Sequence, residues 1–186
     1  MKKKTNRVFE GLSGRISLLV ICGLFAMACS EDDAKKENAP GQSEVTLDGG
    51  PYSNMTARTT DPALAVYSPD ENATAITFVA SADGEDFHVV IAFPGKAKGQ
   101  HSWNEDDCFV QTAQNIGEVN ESVTATFITP DGDNVHIGHV KIDNYGDVNG
   151  IVSGSFEGNC TFVDASCGNC MEEGTMKGKF EARRVN

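Results

Sequence analysis

Toward its C-terminus the chain alternates: Met176, Gly178, Phe180 and Ala182 are interleaved with Lys177, Lys179, Glu181 and Arg183. Successive side chains of an extended strand leave opposite faces, so a strand gathers all the apolar members of such a series on one side. The same period recurs upstream. Phe87, Val89, Ile91 and Phe93 share one parity, with His88, Val90 and Ala92 on the other, and Val123, Ala125 and Phe127 alternate with Thr124 and Thr126. Further strands are expected at 45–48, 64–67, 75–81, 135–142 and 151–157. Turn-forming clusters lie between the strands: Ser68-Pro69-Asp70-Glu71-Asn72, Ala82-Asp83-Gly84, Phe93-Pro94-Gly95, Pro130-Asp131-Gly132-Asp133 and Asn144-Tyr145-Gly146-Asp147. Helical periodicity is nearly absent. The pattern predicts an all-β fold, an antiparallel β-sandwich or open barrel of roughly eight to ten strands. Phe87, Val89, Ile91, Phe93, Phe127, Phe156 and Phe180 should point into its core.

The first 28 residues are of another kind. Lys2, Lys3, Lys4, Arg7 and Arg15 are opposed only by Glu10, and Ile16 to Ala28 runs 13 residues without a charge. A spanning helix needs about 20 apolar residues, so this run is too short to stay in a bilayer. A basic start, a short apolar core and small residues at its end are the parts of a secretory leader. The ending Leu24-Phe25-Ala26-Met27-Ala28-Cys29, followed by Ser30, resembles a lipobox, in which cleavage falls before a diacylglycerol-bearing cysteine. The usual Leu three residues before that cysteine is Ala26 here, and Ala26-Met27-Ala28 also fits ordinary leader cleavage without lipid. Parity favours lipidation of Cys29: losing Cys22 and acylating Cys29 leaves Cys108, Cys160, Cys167 and Cys170, an even set. Ser30 resembles an outer-membrane sorting signal, and Glu31-Asp32-Asp33 an acidic surface-export tag or, equally, a solvated charge run. The expected organisation is a lipoprotein signal peptide over 1–28, a lipidated Cys29 with an acidic flexible linker over 29–43, and one β-domain over 44–186.

Charge excludes some partners. The whole chain carries −12; its leader holds five of the 15 bases and one of the 27 acids, leaving 10 and 26, or −16. Such a surface repels phosphate backbones, so nucleic acid is not an expected partner. It is equally unsuited to lying on anionic lipid, which leaves membrane attachment to the lipid on Cys29.

Phe93-Pro94-Gly95 followed by Gly99-Gln100-His101-Ser102-Trp103, Ile142-Asp143-Asn144-Tyr145-Gly146 running into Gly154-Ser155-Phe156-Glu157-Gly158, and a closing Gly178-Lys179-Phe180 resemble small bacterial envelope lipoproteins of uncharacterised function. The resemblance covers about the last hundred residues. It implies a meandering β-sandwich with a Gly-x-Phe hairpin near the C-terminus, and it transfers no active site.

Four cysteines are the sharpest chemical feature. Cys167-Gly168-Asn169-Cys170 has zinc-knuckle spacing, but closed Cys₄ sites usually carry two such pairs, and an exported chain favours disulfides. If Phe156 lies opposite Gly174, the ladder continues to Cys160 opposite Cys170, on one face. That register predicts Cys160–Cys170 and leaves Cys108 to pair with Cys167. His136 and His139 fall on opposite sides of a regular strand, unless a bulge at Gly138 brings both outward. Asp131-Gly132-Asp133-Asn134 lacks the later ligands of a calcium loop, and Glu105-Asp106-Asp107 and Asp143 with Asp147 read as solvated loops. No nucleophile elbow, phosphate loop or His-Glu-x-x-His occurs. The expectation is therefore an envelope lipoprotein of the outer membrane, exposed on the cell surface. It would be handled by lipoprotein export machinery and carry a non-enzymatic module that binds a protein, glycan or cation or simply occupies the surface, with no metal site, cofactor or catalytic residue assigned. Two alternatives stay open: metal or redox handling by Cys108, Cys160, Cys167 and Cys170, and an enzyme with an unrecognised site.

Overall fold

The structure is a computed structural model and describes residues 41–59, 61–103, 108–114, 123–126, 138–164 and 170–186. Among these the chain forms eleven strands and no helix: β1 (Glu44–Gly49), β2 (Tyr52–Arg58), β3 (Ala63–Ser68), β4 (Ala73–Ala82), β5 (Glu85–Pro94), β6 (Gly99–Ser102), β7 (Phe109–Gln114), β8 (Val123–Thr126), β9 (Gly138–Tyr145), β10 (Ile151–Asp164) and β11 (Cys170–Arg184). The all-β expectation holds. β2, β6 and β7 are additional to the strands read from the sequence.

The strands form one sheet in the order β2-β1-β11-β3-β4-β5-β7-β8-β10-β9-β6, with further pairings of β2 to β4 and β10 to β11. Following β11 to β1, β2, β4 and β3 returns to β11, so five strands close into a barrel rather than remaining open. Closure needs one parallel contact, Ala182–Arg184 of β11 beside Ala63–Ala65 of β3, within an otherwise antiparallel sheet. The β4–β5 hairpin shows how local chemistry sets direction. Asp83 and Gly84 both take positive φ (53° and 88°), the turn geometry whose twist matches that of paired strands.

The long β10–β11 hairpin is built on aromatic rings laid over glycines. Phe156 pairs directly with Gly178, and Gly154 with Phe180. A Cβ on Gly178 would sit 2.5 Å from Phe156 Cζ, and one on Gly174 2.4 Å from Phe162 Cε2. Trp103 does the same across β9 and β10: a Cβ on Gly138 or Gly158, which are paired, would fall 2.0 or 2.1 Å from its ring. Glycine thus makes room for the ring, and the ring covers the backbone that glycine exposes.

Phe87, Val89, Ile91, Phe93, Phe156 and Phe180 are all buried in the core, while Lys177 and Lys179 on the alternate parity are exposed. Phe127 lies outside the described residues. The fold also begins before the expected end of the linker. Ser43 is fully buried; its carbonyl accepts from Thr59 N at 3.0 Å and its hydroxyl from Glu181 N at 3.2 Å.

The expected register of the last hairpin is corrected. Phe156 lies opposite Gly178, not Gly174, so Cys160 faces Gly174 and Cys170 faces Asp164. Four positions along a ladder is about 13 Å, whereas disulfide-linked Cα atoms lie at most about 7 Å apart. Cys160 and Cys170 therefore do not pair. Cys160 and Cys108 are both buried thiols, so the Cys108–Cys167 bond is not formed either. Cys170 is disulfide-bonded, and Cys167 lies outside the described residues.

Candidate functional site

Two features of the described surface stand apart from ordinary solvated strand. The first is a shallow depression of about 280 Å³ on β9, β10 and β11, where His139, Glu157, Asn159, Thr175 and Lys177 surround Gly158. The ladder places His139 opposite Glu157 and Glu157 opposite Lys177, so three ionisable side chains line up across adjacent strands. His139 Nε2 lies 4.0 Å from Glu157 Oε1, and the Glu157 side chain is 66 % exposed. That is loose, solvated contact, worth little energetically. The volume falls just below the range of pockets that enclose a drug-sized ligand, so the depression suits a small polar group.

The second feature is a face. On β3, β4, β5 and β7 the inward parity supplies the core: Ala63, Ala65, Ile76, Phe78, Ala80, Phe87, Val89, Ile91, Phe93 and Val110. The outward parity is also apolar. Leu64 aligns with Thr77, Val90 and Gln111; Val66 aligns with Ala75, Ala92 and Phe109; Val79 aligns with His88 and Ala113. His88 is the only ionisable side chain among these eleven. They are half-buried, apart from Ala92, which is 5 % exposed and yet outside the core cluster. Each of the four strands makes its substantial contacts with its lateral neighbours. The outward face of β1, β9, β10 and β11 contrasts with it. There Glu44 lies between Arg58 (3.2 Å) and Lys179 (3.4 Å), and Lys141 pairs with Asp143 at 2.8 Å.

The residues singled out in the sequence scatter. Cys29, Cys167, His136, Glu105-Asp106-Asp107 and Asp131-Gly132-Asp133-Asn134 lie outside the described residues. His139 lines the depression. Val140 and Ile142 face the core, and the register irregularity of β9 against β10 falls at Ser153/Gly154 rather than at Gly138. Asp143 is engaged by Lys141, and Asp147 is exposed in the turn before β10. Among the described residues no three His, Cys, Asp or Glu side chains converge to hold a metal ion. Cys108 donates to the carbonyl of His101 at 3.7 Å. Burial pushes the Cys160 thiol from its ordinary 9.0 up to about 12, which keeps it protonated and a poor nucleophile.

At the mouth of the β1–β2 hairpin, Tyr52 stacks edge-on to Phe87 and Phe162 and donates to Gln114 Oε1 at 2.7 Å. Burial, then the carboxylates of Asp164 and Glu85, push its phenol from 10.0 up to about 12. Among the described residues no helix is long and apolar enough to cross a membrane. In comparisons with known proteins, no family, no curated protein and no solved structure matches the chain.

Neither surface feature was singled out by motif. The face did have a signal, in that Val90 and Ala92 make β5 apolar on both parities, the pattern of a strand covered on both sides.

Proposed function

We propose that this protein is a membrane-tethered binding module of the cell envelope, held by lipid on Cys29 and engaging a partner through its folded β-domain. The observation that carries the binding role is the largely apolar outer face of β3, β4, β5 and β7. In a chain of net charge −12, a four-strand surface with no lysine and a single carboxylate, Asp86 at its hairpin end, is a place where another molecule can be buried while stranding little charge. The tether rests on the leader-like 1–28, Ala28-Cys29, and the charged stretch from Ser30 onward. Ser30 and Glu31-Asp32-Asp33 support an outer-membrane position with the domain turned outward. No reacting group is needed for such a role.

A photoreactive residue placed at position 90 in living cells should give a discrete cross-linked product. The same residue at position 179, on the charged face, should not. Equal products from both positions, or none from position 90, would overturn the binding role.

A further inference from the structure

We infer that Cys170 is joined to Cys167 and that this bond, at the tip of the β10–β11 hairpin, is a site of thiol–disulfide exchange with a dithiol on a neutral or basic partner. Elimination gives the pairing. Of the six cysteines, Cys170 is disulfide-bonded, whereas Cys108 and Cys160 remain thiols. Cys22 falls within the leader and Cys29 at the lipid site, which leaves Cys167; setting Cys29 aside rests on the tether proposed above. Local chemistry agrees. Asp164 and Cys170 are the last pair of the ladder, and Cys167-Gly168-Asn169-Cys170 puts turn-forming residues between the two sulfurs. The ends of a four-residue turn lie within about 7 Å, the reach of a disulfide.

Position makes the bond exchangeable. Cys170 is exposed, and the ladder from Ile151–Arg183 to Asp164–Cys170 is complete without the bond. A ring this short removes little freedom from the unfolded chain, so it adds less to the fold than a bond closing a long loop. Exposed disulfides are the ones open to attack. The other two cysteines stay out of the reaction: Cys108 and Cys160 are 3 % and 5 % exposed, and burial pushes the Cys160 thiol up to about 12. Charge then chooses the partner. Asp164 faces Cys170 across the ladder, and Glu172 and Glu173 follow it on β11, where the nearest base is Lys177. On the other side of Asp164, β8 carries no charge. This end therefore repels an anionic thiol and draws a cationic one. In the exchange, the partner's thiolate attacks one sulfur of the pair, the bond between the two cysteines breaks, and the other sulfur leaves as a thiolate and takes a proton. The partner's second thiol then gives up its proton and attacks the mixed disulfide. The partner ends as a disulfide and this chain as a dithiol, two electrons and two protons having moved. The carboxylates disfavour the leaving thiolate, which makes the pair a mild oxidant.

The test uses the exported chain carrying Cys29→Ser, in which a failure of the pairing is not a failure of the tether. Non-reducing peptide mapping should join Cys167 to Cys170. Cysteamine, mercaptoethanol and mercaptoethanesulfonate, a cationic, a neutral and an anionic thiol, are then compared at equal thiolate concentration, with the opened cysteines trapped by iodoacetamide. The folded chain should be labelled at Cys167 and Cys170 and not at Cys108 or Cys160. Opening should be about tenfold faster with cysteamine than with the sulfonate at low salt, and the gap should close at high salt. Glu172→Gln with Glu173→Gln, both exposed, should narrow the gap and leave the melting temperature unchanged. A map joining Cys170 to another cysteine, or a bond that opens only after denaturation, would overturn the exchange site. Equal rates with the cationic and anionic thiols would overturn the partner class.

Discussion

Trp103 is held by the absence of two side chains. Its ring occupies the space that Cβ atoms on Gly138 and Gly158 would take, and Gly138 Cα itself lies 2.5 Å from a Cβ on Gly158. Gly158→Ala must therefore push a rigid ring or two backbones apart, an overpacking cost of about 1–3 kcal/mol. Thr175→Ala, exposed on β11, should move chemical-denaturation midpoints little. Equal effects of the two substitutions would contradict the packing of the ring on the glycines. A second residue-scale consequence concerns pH. Cys160 and Tyr52 ionise in the unfolded chain near 9.0 and 10.0 but near 12 in the fold. Between those values the unfolded chain binds fewer protons, so stability is fully present below about pH 9 and is lost as pH rises toward 12. Denaturation measured from pH 8 to 11.5 should show this fall, and the Cys160→Ala, Tyr52→Phe chain should show a shallower one. An unchanged slope would contradict the account of both groups.

At the scale of elements, alternation was legible and register was not. Phe156, Phe180 and Met176 face the core as their parity predicts, because parity depends only on local strand geometry. The register of β10 on β11 differs from the expected one by four residues, an even slip that preserves every inward-facing side chain and so leaves no trace in the pattern. The cysteine pairing rested on that register and fell with it. β2 was missed because Tyr52-Ser53-Asn54-Met55-Thr56 offers little apolar contrast and bends at Asn54 (φ 48°); β6 was missed because four residues carry no period. Phe180→Ala should cost about 3–5 kcal/mol, since a buried phenylalanine is removed from beside Gly154, which has no side chain to fill the gap. Lys179→Ala, one residue away on the exposed face, loses only a solvated contact to Glu44 at 3.4 Å and should stay within about 0.5 kcal/mol. Comparable losses from the two would contradict the strand phase.

For the molecule as a whole, the five-strand closure could not be read from the sequence, because the β11–β3 pairing joins segments far apart in the chain and β2, which pairs with β4, carries too little apolar contrast to be seen. The apolar outer face was half legible, in Val90 and Ala92 of β5, and became a surface only when β3, β4 and β7 brought Leu64, Val66, Val79 and Phe109 beside them. Tether and face belong to one account in the function we propose, in which lipid on Cys29 would supply attachment and the domain recognition. That division requires the folded domain to have no membrane affinity of its own, which its negative charge supports. The most direct measurement is fractionation of cells expressing the native chain and Cys29→Ser, with a labelled fatty acid supplied during growth. The native chain should carry label and sediment with membranes, whereas Cys29→Ser should be unlabelled and soluble. Tight membrane association of the unlabelled variant would contradict the account.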